Sequence, residues 1–265
     1  MTAPDATQDR FAPGTFRPAP GRGRLGRMLA AQARTETALA LRNGEQVLLT
    51  LLIPLALLVG LTTLRIVPMP GPRVDFVTPR VLALAVMSSA FTGQAIALGF
   101  DRRYGVIKRL AATALPRWLL AAGRVVAALA VVVVQLVVLG VVAALLGWHP
   151  AAAGLGWALL LVLLGTFAFG ALGVLLGGAL RAELVLAVAN VVWFVLLLAG
   201  GIALPPGSLP AGLAEVVTFL PSGALAESLR AALVDGAAPG VQPVAVLLGW
   251  GVVGGLLAAR TTRLT

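Results

Sequence analysis

The sequence predicts an all-α integral membrane protein. Its expected parts are six transmembrane helices, an N-terminal interfacial helix, a short helix in one inner loop and short outer-leaflet helices before the last span. Three observations predict this class. Six continuous apolar runs fill the chain at about 45–64, 79–100, 118–147, 154–180, 183–204 and 241–260. No charged residue sits deep inside any of them. The 265 residues are 59% hydrophobic and 11% charged, against about 25% charged in ordinary globular domains, and the mean hydropathy is +0.99.

Each element has its own reason. Residues 1–24 are rich in Pro, Gly and Arg and poor in apolar side chains, the composition of a disordered tail. They do not read as a signal peptide, because the first long apolar run begins only at residue 45 and no small-residue cleavage pattern follows it. Residues 25–42 set Leu25, Met28, Leu29 and Leu39 among Arg27, Arg34, Glu36 and Arg42. That pattern predicts a helix lying along the membrane surface, with an ordinary solvated helix as the alternative. A span needs about 20 apolar residues. The runs are helical by necessity, since lipid offers no partner to an open strand edge. They are continuous rather than alternating, which excludes a β-barrel. The third and fourth runs exceed the bilayer thickness and imply tilt or extension.

Lys and Arg counts orient the spans. With the N-terminus inside, the inner segments hold sixteen of the twenty basic residues, and the outer segments hold only Arg65, Arg73, Arg80 and Arg230. An even number of spans then puts both termini in the cytoplasm. Trp118 and Trp148, at opposite ends of the third run, suit interface anchors.

Composition also excludes chemistry. There is no cysteine, and the one histidine, His149, cannot build a metal cluster alone. The formal charge of +10 reads as a basic cytoplasmic face rather than a nucleic-acid surface. Pumps that move protons or sodium usually carry ionisable groups at mid-membrane; none stands there, so the driving energy is expected from outside the chain. No GxxxxGK[ST] phosphate loop exists, and Lys108 follows Gly105 at the wrong spacing. An intramembrane prenyl or acyl transferase would need acidic pairs for Mg²⁺ or a His/Asp base. Asp101 is the lone acid of its loop, and His149 has no acidic neighbour. A channel or membrane scaffold is a further alternative.

Three segments carry the functional candidates. Between the second and third runs, DRRYGVIKRLAATALPRW (101–118) interleaves Asp101, Arg102, Arg103, Lys108, Arg109 and Arg117 with Tyr104, Val106, Ile107 and Leu110. It predicts a short helix over 104–113, ended by Pro116. Such a helix suits docking into a groove of a soluble partner, though a basic loop that only fixes topology has the same charge. In 200–233, Pro205, Pro206, Pro210 and Pro221 break the chain into helices over about 211–220 and 223–234, with Ser222 placed to cap the second. Inside the spans stand Ser88, Ser89, Thr92, Gln94, Gln135, Thr166 and Asn190. Polar groups in a bilayer seek partners on neighbouring helices; alternatively Gln94, Gln135 and Asn190, with Phe91, face a substrate path. Gly173 and Gly177 have the spacing of close helix packing, within the chain or at a dimer seam.

The order of parts resembles the ABC type-2 export permease family, which includes drug, antibiotic-resistance and polysaccharide exporters. The resemblance rests on LRNGEQVLLTLLIPLALLVG at 41–60, on the 101–118 loop and on the Pro-rich segment before the sixth run, and it covers about 25–260. It implies that 101–113 is a coupling helix, with Asp101, Arg102, Arg103, Tyr104, Gly105, Lys108 and Arg109 meeting an ATPase. It implies that 25–42 is the connecting helix beside it, and that the short helices after 210 form a lid in the outer leaflet. Arg103 stands where the family often has an acidic residue, and Ala114 where it often has proline. The resemblance further implies two ABC ATPase subunits that bind the ATP and Mg themselves, so this chain needs no cofactor of its own. A second permease copy, identical or a sister chain, would complete the pair in contact with membrane lipid, with no nucleic acid. The expected location is the bacterial plasma membrane, in keeping with the Ala-, Leu-, Val-, Gly- and Arg-rich composition. The expected cargo is an amphipathic drug, antibiotic or lipid-like molecule, moved outward from the cytoplasm or inner leaflet. No domain able to receive a binding protein stands outside the membrane, which fits export.

Overall fold

The computed structural model describes residues 15, 23–42, 44–64, 71–112, 116–203, 207 and 209–261; for 44–49, 111, 117, 118, 120 and 121 it describes the backbone alone. The tail reading over 1–24 falls almost wholly outside the described residues, as do Arg65, Pro205 and Pro206, and the side chain of Trp118 is not among those described.

Among the described residues the secondary structure is helical. The order is α1 (Leu25–Arg42), α2 (Gly44–Thr63), α3 (Arg73–Met87), a π-helical turn (Ser88–Gly93), α4 (Gln94–Arg103), α5 (Val106–Ala111), α6 (Arg117–Leu145), a 3₁₀ turn (Ala152–Gly154), α7 (Leu155–Ala179), α8 (Ala182–Leu198), α9 (Ala211–Phe219), α10 (Pro221–Asp235) and α11 (Val241–Thr261). Among the described residues, four stretches are long and apolar enough to cross a membrane: Arg73–Arg103, Ala122–Leu145, Ala152–Ala179 and Val241–Thr261. Thr50–Thr63 and Ala182–Leu198 are shorter apolar helices.

The second run differs most from its sequence reading. It begins at Arg73 rather than 79, with Pro79 inside the helix. It ends at Arg103, so Asp101, Arg102 and Arg103 form its last turn instead of opening a loop. Pro79 stands seven residues into the helix and has no N–H to give the Asp75 carbonyl, so the helix runs on past one missing i→i−4 bond. The fifth run is also shorter than read: α8 ends at Leu198, and a turn and bends carry 199–203.

The rod formed by α3, the π turn and α4 is the core of the molecule. Every residue from Val77 to Phe91 is buried. The helices α2, α7 and α10 pack on its α3 portion, and α7 and α8 pack on α4. Gly173 and Gly177 explain how α7 comes so near. A Cβ at Gly177 would stand 2.5 Å from the Ala95 carbonyl oxygen, and one at Gly173 would stand 2.7 Å from that of Phe91. The small-residue seam is therefore an intramolecular contact. Elsewhere the helices turn apolar faces outward, with Val133, Val137 and Val141 exposed on α6, Val191 and Phe194 on α8, and Val252 and Leu256 on α11. Exposed apolar surface on this scale belongs to a protein whose solvent is lipid or a partner chain.

At the α10 end, charge turns inward. Arg80, with a side chain only 6% exposed, pairs with Glu227 at 2.6 Å and lies over the Phe76 ring at 4.1 Å. Arg230 bridges Glu227 and Asp235. Ser222 is not the cap of its helix. Pro221 takes the first helical position behind Leu220, and the Ser222 hydroxyl donates to the Gly200 carbonyl at 2.7 Å. Proline is well suited to that first position, since its missing N–H would have had no partner.

Candidate functional site

The candidate site is the end of the rod where α4 turns into α5. The turn is Tyr104–Gly105, and Gly105 takes φ +69°, a left-handed conformation that suits a residue without Cβ. The following helix, α5, is one and a half turns long. Ile107 is its buried anchor, while Lys108 and Arg109 are exposed. Tyr104 is 66% exposed and stacks against Phe100, with ring centroids 6.0 Å apart. Arg109 reaches back to donate to the Tyr104 carbonyl at 3.2 Å.

The seven residues singled out in this segment divide into two groups. Asp101, Arg102 and Arg103 are engaged inside the chain. Arg102 donates to the carbonyls of Gly177 and Leu180, at 3.0 and 3.1 Å, and so satisfies the end of α7. Arg103 pairs with Glu183 in the first turn of α8, and Asp101 pairs with the buried Arg124 of α6. Tyr104, Lys108 and Arg109 face outward around Gly105. Beside them α1 packs along α6, with Ala33 buried between the two. The α5 end thus gathers α1, α4, α5, α6 and the start of α8.

Above this end lies the π turn. It widens the helix by one residue and frees Ser88 and Ser89 for partners on other helices. Ser89 donates to Gln135 Oε1 at 2.5 Å, and Gln135 Nε2 donates to Thr50 Oγ1 at 3.0 Å. Trp193 Nε1 donates to Ser88 Oγ at 2.8 Å. Three helices, α2, α6 and α8, are thereby tied to the rod at one level. Hydropathy gives no signal for a π turn; two adjacent serines mid-span are its only trace. Such turns occur frequently at functional sites.

The four candidates for a substrate path do not share one wall. Gln135 is 1% exposed and consumed by Ser89 and Thr50. Phe91, 3% exposed, borders an apolar cavity of about 360 Å³ with Leu176, Val192 and Trp250. Gln94 borders a different cavity, of about 370 Å³, which also meets Glu36, Asp101 and Arg124. Asn190 is exposed on α8, its amide donating to Leu186 O in its own helix at 2.9 Å. Sequence reasoning missed Glu36 and Arg124 as cavity residues, and it missed the Arg80–Glu227 pair. The signals available were an arginine just inside the second run and a glutamate in the helix after Pro221.

This architecture, apolar helices around a buried rod with a basic helix at its end, is that of a multi-pass membrane protein. A family model described as ABC-2 type transporter matches residues 25–234. The chain belongs to the ABC-2 type transporter family, whose members are membrane components of transporters that associate with an ABC ATPase. No curated protein matches it closely.

Proposed function

We propose that the chain is the permease subunit of an ATP-driven exporter that moves an amphipathic substrate outward, energised by a separate ATPase. Its six apolar helices α2, α3–α4, α6, α7, α8 and α11 would all span the bacterial plasma membrane, with both termini in the cytoplasm. The observation that carries the reading is that α5 joins the end of the buried rod across the two-residue turn Tyr104–Gly105. A push on Tyr104, Lys108 and Arg109 has a rigid lever to act on, and that lever is bonded to α2, α6 and α8 through Ser88 and Ser89. Arg102 and Arg103 join the same end to α7 and α8. Motion at α5 is therefore delivered to four helices at once. The outward face of α8, with Asn190 among Leu186, Val191 and Phe194, is suited to a second permease copy, identical or sister, since an amide facing lipid alone would be costly. The neutral span surfaces favour an amphipathic cargo over an ion.

Two measurements test this. Tagged chain purified from its native membrane should bring down a stoichiometric ATPase carrying a phosphate loop; recovery of the chain alone would remove the exporter reading. In the recovered complex, Tyr104→Ala with Arg109→Ala should keep basal ATP hydrolysis but lose its stimulation by substrate and at least roughly tenfold of transport, about 1.4 kcal/mol of coupling. Unchanged transport in that variant would remove the docking role of α5.

A further inference from the structure

The cavity beneath α1 has a lining that the coupling role does not use. It lies within one chain, enclosed by α1, Thr50 of α2, the π turn, α4, α5 and α6, and holds about 370 Å³. Pockets for small molecules begin at about 300 Å³. Its polar groups are unevenly satisfied. Arg124 is committed to Asp101 on one wall. On α1, the half-buried Glu36 carboxylate accepts only the Gln32 amide, at 2.9 Å, and has no cationic partner among the described residues. Across the cavity, the half-buried Gln94 amide has no hydrogen-bond partner among the described residues. Thr35, Thr50 and Ser89 also line it, and one stretch of the wall is apolar, with Ala97, Ala127 and Val131.

We propose that this cavity binds the ammonium group of a cationic amphipath, with Glu36 as counter-charge, Gln94 O as a second acceptor and the alanine-lined wall against the hydrocarbon part. With Arg124 neutralised by Asp101, the charge left over among the described lining residues is the negative one of Glu36. An anionic head would face repulsion, and a neutral one would leave the Glu36 carboxylate unpaired as water is expelled. An ammonium supplies N–H donors to both acceptors. The same chemistry is carried by free amine-bearing amphipaths and by the phosphatidylethanolamine headgroup. The site lies within one protomer and needs no ATPase, so its failure and the failure of the exporter reading are separate results.

The test uses the full chain in phosphatidylcholine nanodiscs, with dansylcadaverine as a fluorescent amphipath that bears a primary ammonium. Saturable binding is expected, roughly tenfold weaker in Glu36→Gln, as for loss of one partly buried charge-assisted bond. The analogue with a hydroxyl in place of the amine should bind no better to wild type than to Glu36→Gln. Phosphatidylethanolamine added to the discs distinguishes the sources: displacement of the probe identifies the lipid headgroup as occupant, and retained binding identifies the free amphipath. Equal affinity of dansylcadaverine for wild type and Glu36→Gln, or binding of the hydroxyl analogue to wild type as tight as that of dansylcadaverine, would overturn the proposal. Should Glu36→Gln not fold, Ala97→Leu carries the test: it fills the cavity without touching a charge, and undiminished binding there is equally fatal.

Discussion

The two ends of the buried rod use the same residue type in opposite ways. At the α10 end, Arg80 is withdrawn from solvent, stacked on Phe76 and bound to Glu227. At the α5 end, Arg102 and Arg103 bind neighbouring helices, while Lys108 and Arg109 stand exposed at the surface, Arg109 donating to the Tyr104 carbonyl of its own turn. The first end is closed upon itself, and the second keeps charge in reserve. An arginine buried with one acid is a fastening whose loss leaves an uncompensated charge. An exposed lysine or arginine contributes little to folding and is therefore available to a partner. The contrast teaches that one end is built as a fastening and that the other leaves basic side chains at the surface.

The largest expected effect breaks the closed end. Glu227→Leu strands Arg80, and should lower stability in detergent by about 2–4 kcal/mol, the lower part of the range reflecting the partial exposure of Glu227. A loss below about 1 kcal/mol in a denaturation titration would show that Arg80 is satisfied without its acid. Next comes the rod itself. Gly177→Ala puts a Cβ 2.5 Å from a backbone oxygen that cannot retreat alone. It should cost about 1–3 kcal/mol by overpacking; a neutral result would mean that α7 can shift as a body.

Smaller effects sharpen the comparison. Ser89→Ala removes the bond that orients Gln135, at about 0.6–1.7 kcal/mol by the scale of hydrogen bonds measured inside membranes. The measurement is thermal unfolding in lipid nanodiscs, with Gln135→Leu as the partner variant. If the hub is one network, the double variant should cost less than the sum of the two. The smallest expected change is at the open end. Lys108→Ala with Arg109→Ala should alter stability by no more than about 0.5 kcal/mol. A larger loss would mean that the α5 end is fastened like the other.

Much of this was legible in the chain. The 25–42 helix was read with its observed bounds because apolar and charged residues alternate at helical spacing there. The short helices after Pro210 and Pro221 were legible because proline fixes where a helix can begin. Ser222 misled because a serine near a helix start is an ordinary cap; a nearby carbonyl, that of Gly200, claimed the hydroxyl instead. Asp101, Arg102 and Arg103 were visible as a charged group but not as a group with internal partners. Their partners are remote in sequence: the Arg124 guanidinium on α6, the carbonyls of Gly177 and Leu180 at the end of α7, and the Glu183 carboxylate on α8.

The sequence by itself determined the membrane class, the helical character of every apolar run and the placement of a basic, apolar-laced helix between the second and third runs. Those follow from composition and local spacing, because lipid leaves the backbone no other way to satisfy its polar groups. Tertiary structure alone decided which arginines are spent inside the chain, that the serines stand on a π turn, and that Gln94 opens on a cavity while Gln135 is sealed. The direction a polar side chain takes within a span depends on which helix packs against it, and hydropathy, summed along one dimension, carries no record of that neighbour.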